Sequence, residues 1–139
     1  MHAEVEAVFF QRLPALRVCL VEVTLQGNPA NQEVQAHWHQ TWSSLLTLGL
    51  SSAIEQPHVA THCRTIKAAG SRFNEHPPAI EALTRRVLKQ EQPFCMHPVV
   101  DFYNEVCLQY VTPAGAFDLI ALSADDLSLR LSRDGDMFT

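Results

Sequence analysis

The sequence has no tract rich in glycine and serine, no proline-rich run and no block of like charge. Such compositions keep chains disordered, so their absence argues against an unstructured linker or tail. No internal repeat is present. Hydrophobic residues make up 47% of the 139 residues and charged residues 18%, which is enough to build a packed core. Length and composition together predict a single domain over residues 1–139.

Long apolar runs are also lacking. The most apolar stretch, residues 13–25, contains Arg17 and Glu22 and is too short to cross a bilayer. The acidic start of the chain lacks the charged-then-apolar pattern of a secretory signal. We therefore predict a cytoplasmic protein with no membrane partner.

Cysteine is scarce, and none of the four cysteines forms a CxxC pair. In a cytoplasmic chain of this size, a disulfide framework is not expected. We predict instead that Cys19, Cys63, Cys95 and Cys107 are buried thiols that act as small hydrophobic residues.

Motifs for metal binding and nucleophilic catalysis are missing as well. His58 and His62 have the i, i+4 spacing of two metal ligands, but neither the HExxH glutamate nor a third ligand accompanies them. No GxSxG, phosphate-binding glycine loop or dinucleotide fingerprint is present. We predict no metal and no cofactor, and these generic motifs identify no catalytic residue.

Positive charge is in the minority, since the formal net charge is −5. This balance argues against a protein that coats nucleic acid non-specifically. However, six of the ten lysines and arginines lie between residues 64 and 89, namely Arg64, Lys67, Arg72, Arg85, Arg86 and Lys89. The cluster indicates either a local phosphate-binding face or the solvated surfaces of two helices.

Hydrophobic periodicity predicts three helices, over residues 30–48, 58–69 and 79–90. Gly70 is placed to end the second of them. Residues 99–109 fit either a helix or a strand, because their periodicity does not separate the two.

Strands are predicted on either side of this helical region. Residues 15–25 carry apolar side chains on both faces, which is typical of a central strand. Residues 127–131 alternate like a half-buried strand, and a turn at Asp134-Gly135 follows. The pattern predicts an α+β fold, with helices packed on a mixed or mainly antiparallel sheet.

Two motifs in the second half carry a family resemblance. The run VVDFYN over residues 99–104 is followed by PAGAFD over residues 113–118. Together they resemble the centre of the B3/B4 domain of the phenylalanyl-tRNA synthetase beta subunit, which typically carries VVDxxN and then PxHAFD. An upstream segment, PPAIEALTRRV over residues 77–87, is similar to a helix of free-standing proteins built on the same domain. Those proteins also tend to carry Tyr-Asn and PxG, as this chain does, so the resemblance is strongest to the free-standing form.

The resemblance implies a function in aminoacyl-tRNA quality control. In the synthetase, this domain hydrolyses tyrosine wrongly attached to the phenylalanine tRNA. The chain is therefore expected to be a stand-alone tRNA-editing-type protein with tRNA or aminoacyl-tRNA as its partner. It would act either as a deacylase of mischarged esters or as a tRNA-binding relative, and not as a complete tRNA ligase.

Site residues follow from the same resemblance, position by position. Tyr103, Asn104, Gly115 and Asp118 match positions of the editing pocket. Tyr103 stands where the synthetase has threonine, and Gly115 stands where it has histidine, so a mechanism that needs that imidazole is not expected. For tRNA contacts, the clustering of positive charge favours Arg72, Arg85 and Arg86, and a charge-reversal pair at the last two is expected to weaken binding.

Each pocket residue also has a structural interpretation. Asn104 serves equally well to cap or turn the backbone, Gly115 to supply a positive φ, and Asp118 to cap a short turn over residues 119–122. The alternative function is a non-catalytic module on the same fold that binds a small molecule or a protein. Binding of free amino acids beside Asn104 would favour the editing interpretation.

The final residues suggest an incomplete sheet. Met137-Phe138-Thr139 follow a turn and open what resembles another strand, where the sequence stops. We expect the C-terminal half of the family domain to be missing. We also expect self-association or an element swap through the open sheet edge, and negligible deacylase activity from this chain alone.

Overall fold

A computed structural model describes residues 2–24, 32–70, 77–89, 92–122 and 126–137. The chain divides into two compact units, one of Met1–Leu20 with Phe117–Thr139 and one of Val21–Ala116. The elements in chain order are β1 (His2–Val5), α1 (Ala7–Arg12), α2 (Gln32–Leu46), a 3-10 turn (Ala53–Glu55), α3 (Pro57–Ala68), α4 (Ala79–Leu88), α5 (Pro98–Tyr110) and β2 (Asp126–Leu129). Helices and a small sheet together confirm the α+β class.

The sheet lies in the unit formed by the two ends of the chain. β1 pairs with β2 in parallel, with Val5 opposite Leu129. A mixed or mainly antiparallel sheet was expected, whereas the two described strands are parallel to each other. Parallel strands need a long crossover, and here the entire second unit separates the two strands in sequence. The strand predicted over residues 127–131 is confirmed with shifted ends.

Polar contacts fasten the segment that follows β2. The carboxylate of Glu6 accepts a hydrogen bond from the Leu131 N–H at 3.2 Å and pairs with Arg133. Arg130 makes a two-point contact with the Asp136 carboxylate, at 2.8 and 2.7 Å. Asp136 also accepts the Arg133 N–H at 2.8 Å. These contacts close the predicted turn around Gly135, whose φ is +92°.

The second unit has a hydrophobic core built from its four described α-helices. Apolar residues recur at helical spacing on one stripe of each helix, and these stripes face one another. The buried apolar side chains are Trp38, Trp42, Leu45, Ala53, Val59, Cys63, Ile80, Leu83, Val87, Cys107 and Leu108.

An aromatic cluster orders the centre of that core. Trp38 and Trp42 meet edge to face at 5.3 Å between ring centroids, and Phe94 packs edge-on against both. The indole N–H of Trp38 donates to the Phe94 carbonyl at 3.1 Å, which satisfies the polar group of a fully buried ring. The connector between α4 and α5 is thereby held against α2.

Local signals located α2, α3 and α4, whereas the short helix α1 was not predicted. α2 and α4 lie within their predicted ranges, α3 begins at Pro57, one position before its predicted start, and the ambiguous segment over residues 99–109 is helical. The side chain of Gln56 accepts the N–H groups of His58 and Val59 to start α3. Gly70 follows its end with a φ of +94°, a conformation that glycine adopts at little cost.

The strand predicted over residues 15–25 is wrong for the described part of that range. Residues 16–24 have no regular structure, and Val21 and Val23 are 74% and 65% exposed. Alternation defines a strand only when a neighbouring strand completes its backbone hydrogen bonds. The two described strands instead pair with each other. Leu25 lies outside the described residues.

The cysteine prediction holds for two residues and fails for two. Cys63 and Cys107 are buried free thiols, whereas Cys19 and Cys95 are exposed. Both exposed cysteines lie in segments without regular structure. Their neighbours in sequence are apolar, but no helix or strand presents those positions to a core.

Candidate functional site

The VVDFYN motif forms the first two turns of α5, and contacts around it stabilise the N-terminal end of that helix. His97 is the N-cap, and its Nδ1 accepts the Val99 N–H at 3.3 Å. Asp101, which is only 2% exposed, accepts the Met96 N–H at 3.2 Å. Pro98 occupies the first helical position, where a missing N–H costs nothing. The aspartate of the motif is thus a structural residue in this chain.

Tyr103 and Asn104 lie on α5 and are both half-buried. Neither lines the two grooves described below, although their neighbours Phe102 and Glu105 line both. Successive helical residues turn by about 100°, so Asn104 lies about 200° around α5 from Phe102. A pocket position for Asn104 stays a prediction.

Gly115 lies in the segment after α5 and is exposed. A Cβ built on it would have no heavy atom within 4 Å, and its φ is not positive. The interpretation that this glycine supplies a positive φ is therefore wrong. The preceding residue anchors this segment to α5, because the Ala114 N–H donates to the Cys107 sulfur at 3.1 Å.

Asp118 belongs to the other compact unit. Its Oδ1 accepts the Ile120 N–H at 3.0 Å, and its carbonyl accepts the Ala121 N–H at 3.1 Å. The turn-capping interpretation of Asp118 is confirmed by these two contacts. The four residues carried over from the resemblance thus divide between α5, the segment after it, and a turn in the unit formed by the chain ends.

The two described arginines of the predicted tRNA surface lie in the last turn of α4. Arg85 is about half exposed and sits 3.6 Å from the carboxylate of Glu81, as the i, i+4 spacing predicts. The Arg86 guanidinium lies over the Phe94 ring at 5.0 Å. Both cations remain on the surface, while the buried side of α4 packs into the core. Arg72 lies outside the described residues.

Between α2 and α5 runs a pair of grooves that sequence reasoning missed. One has a volume of about 250 Å³ and the other about 670 Å³, and they share three lining residues, His37, Phe102 and Glu105. On α5 the groove face repeats at helical spacing from Phe102 to Gln109. The larger groove also has polar side chains of α2 in its wall, including Thr41 and Ser44.

Glu105 is the buried charge of this groove. It is 6% exposed, and its Oε1 accepts the Thr41 hydroxyl at 3.0 Å. A carboxylate is rarely buried in a protein without a partner. The only sequence signal for this site was a glutamate, Glu105, placed between Phe102 and Val106 on a helix. Its hydrogen-bond partner, Thr41, lies 64 positions away in the sequence.

The buried thiols are poor nucleophiles. Burial raises the pKa of Cys63, and the nearby Glu81 carboxylate raises it further. Burial likewise raises the pKa of Cys107. Because the thiolate is the reactive form, neither group is suited to covalent catalysis. Across the described ranges, no three His, Cys, Asp or Glu side chains converge as metal ligands do.

A family model, the B3/4 domain, matches residues 62–139, which is more than half of the chain. The chain belongs to the B3/4 domain family. The match includes α4, α5 and β2, and it covers the arginine pair, the VVDFYN and PAGAFD motifs and Glu105. The family relates the chain to synthetase-associated modules that bind nucleic acid. Neither the curated proteins nor the solved structures contain a match to this chain.

None of the described helices of this B3/4 chain combines the length and apolar character that a transmembrane span requires.

Proposed function

We propose that this B3/4 chain is a tRNA-binding module of the aminoacyl-tRNA editing type. The observation that carries the proposal is the family match over residues 62–139. The two motifs of the resemblance and the basic helix before them all fall within that match. The substrate class is tRNA or aminoacyl-tRNA, and the expected compartment is the cytoplasm.

The tRNA surface is assigned to the last turn of α4. Arg85 and Arg86 are exposed cations on neighbouring positions, and arginine pairs with phosphate through two parallel N–H groups. The Arg86 guanidinium lies 5.0 Å over the Phe94 ring, and this cation–ring contact helps to hold it at the surface. Arg72 is proposed as a third contact.

Binding is favoured over hydrolysis within this proposal. Gly115 stands where the synthetase domain has its histidine, so no side chain there accepts a proton or orients a water. The buried thiols are held as neutral S–H groups. Any hydrolysis would have to come from polar groups that position water, without a nucleophile from these positions.

The experiment measures binding and hydrolysis on the same preparation of the full chain. Uncharged tRNA, correctly charged tRNA and tyrosine-charged phenylalanine tRNA are titrated by fluorescence anisotropy, and release of the amino acid is followed in parallel. Saturable tRNA binding with little hydrolysis supports the proposal. Absence of binding at low salt contradicts it, and multiple-turnover hydrolysis would replace binding with deacylation as the function.

A second candidate is a small-molecule module on the same fold without a tRNA partner. The groove between α2 and α5 is the observation that favours it, since it holds a buried carboxylate and lies apart from the arginine pair in sequence. Binding of free amino acids or amines in the absence of any tRNA binding would select this candidate.

A further inference from the structure

The grooves between α2 and α5 contain the carboxylate of Glu105, and the described residues hydrogen-bond only one of its two oxygens. Thr41 holds one oxygen of Glu105, and no described residue donates to the other. Among the described residues, the only fully buried side-chain oxygen or nitrogen without a hydrogen bond is Oε2 of Glu81. The second oxygen of Glu105 is therefore not fully buried, and Glu105 lines both grooves.

The surroundings of Glu105 favour a cation. Glu33 and His37 lie in the wall of the smaller groove, and neither described lining includes a lysine or an arginine. A carboxylate in such a place attracts a positive group strongly, because water screens it poorly there. An anion such as a phosphate would be repelled by this carboxylate.

The groove walls also select an apolar ligand body. Phe102 and Tyr110 are 54% and 67% exposed on the α5 side, and Leu48 and Val111 add aliphatic surface. Aromatic faces attract ammonium groups through the ring quadrupole and bury the carbon skeleton beside them. The combination of one carboxylate with exposed aromatic rings is suited to an amine that carries a hydrophobic group.

We propose that the α2–α5 groove binds a small organic ammonium ion, with Glu105 as its counter-ion and Phe102 as its aromatic wall. Thr41 is a positioning residue that holds the carboxylate toward the groove. This site is separate from the arginine surface and does not depend on the proposed tRNA binding.

The test titrates the full chain with 2-phenylethylamine by NMR and calorimetry. 2-Phenylethanol and phenylacetate are the matched neutral and anionic probes. The methyl ester of phenylalanine is a further probe, because it carries the ammonium group beside an ester, as an aminoacyl group does, whereas 2-phenylethylamine lacks the ester. We expect saturable binding of the amine, with chemical-shift changes at residues of α2 and α5, and no binding of phenylacetate.

Two variants assign the binding to the groove. Glu105→Gln keeps an oxygen for the Thr41 hydroxyl but removes the charge, and it is expected to weaken amine binding by about tenfold or more. Glu4→Gln, at an exposed position of β1, removes the same charge elsewhere and is expected to change nothing. Phe102→Ala is the second probe if Glu105→Gln fails to fold, and it should weaken binding several-fold, on the order of the usual cation–ring attraction.

Several results would overturn the site. These are equal affinity in folded Glu105→Gln, unchanged affinity in Phe102→Ala, binding of 2-phenylethanol as tight as that of the amine, or no saturation by any amine. Tighter binding of the phenylalanine ester than of 2-phenylethylamine would support the site and identify the aminoacyl group as the better ligand.

Discussion

At the residue scale, three acidic side chains buried in the helical unit show how differently a carboxylate is accommodated. Asp101 accepts a backbone N–H, Glu105 accepts a hydroxyl, and Glu81 pairs with the arginine one turn along its helix. Burial of a carboxylate is costly unless it is hydrogen-bonded or paired. Asp101 is therefore part of the scaffold, while Glu105 is the residue with bonding capacity left for a ligand.

Thr41→Val tests the scaffold side of the Glu105 pair. The change keeps the β-branched shape but removes the only described donor to that carboxylate. We expect a loss of about 1–3 kcal/mol in the free energy of unfolding, measured in urea, because a buried charged acceptor is left unpaired. Thr112→Val, at an exposed position, is the control and should stay within about 0.5 kcal/mol of the parent. Equal stability of the two variants would show that the Thr41 contact contributes nothing.

At the element scale, the start of α5 explains why the VVD part of the motif matters. A helix leaves its first N–H groups without partners, and His97 and Asp101 together satisfy two N–H groups around that end. The same helix then presents Phe102 and Glu105 to the groove. The position of the candidate ligand site thus depends on how α5 begins.

Asp101→Ala is expected to destabilise the chain by about 1–2 kcal/mol, since it removes this contact and leaves a cavity at a buried position. Asp101→Asn retains a side-chain oxygen for the Met96 N–H, so its loss should be smaller. Thermal unfolding followed by circular dichroism compares the two. A loss as large for asparagine as for alanine would mean that the charge, and not the acceptor, is what α5 requires.

The elements also show which sequence signals are reliable. The end of α3 was predictable because Gly70 acts on the residues beside it. The strand over residues 15–25 was wrong because pairing depends on a distant partner that alternation does not reveal. β1 was missed for the same reason, since its four residues pair with a strand that starts at Asp126.

At the scale of the whole molecule, the candidate site was only partly predictable. The motif positions and the arginine pair were visible in sequence because they are contiguous runs. The groove was not, since Thr41 and Glu105 come together only when α2 packs on α5. Asp118 shows the opposite case. The sequence identified it as a motif position, and in the structure its side chain caps a turn.

The unit formed by the chain ends should be sensitive to acid. The Leu131 N–H and Arg133 lower the pKa of Glu6, and Arg130 together with the Arg133 N–H lowers that of Asp136 further. A carboxyl with a lowered pKa contributes stability above its ordinary value, and that contribution is lost as the pH falls through the folded value. The contacts of Glu6 with Leu131 and Arg133 should thus persist at neutral pH. They should weaken as the pH falls below the ordinary pKa of a glutamate, near 4.5.

NMR checks this through the amide shifts of Leu131 and Arg133, followed from roughly pH 7 downward. We expect the Leu131 amide to titrate with a midpoint below 4.5, and Glu6→Gln to abolish that transition. A midpoint above 4.5 would contradict the hydrogen bonds assigned to Glu6. Self-association through the sheet edge stays a prediction, and light scattering of the same samples measures it.

The most direct test of the tRNA-binding assignment is the salt dependence of tRNA affinity for the parent chain and for Arg85→Gln/Arg86→Gln. Glutamine is preferred to a charge reversal because Glu81 lies beneath Arg85. Arg17→Gln, an exposed arginine outside the family match, is the control, and urea unfolding confirms that each variant is folded. The account predicts weaker binding by the double variant and a log–log slope shallower by roughly one for each lost phosphate contact, with Arg17→Gln unchanged. Identical slopes and affinities for all three proteins would contradict it.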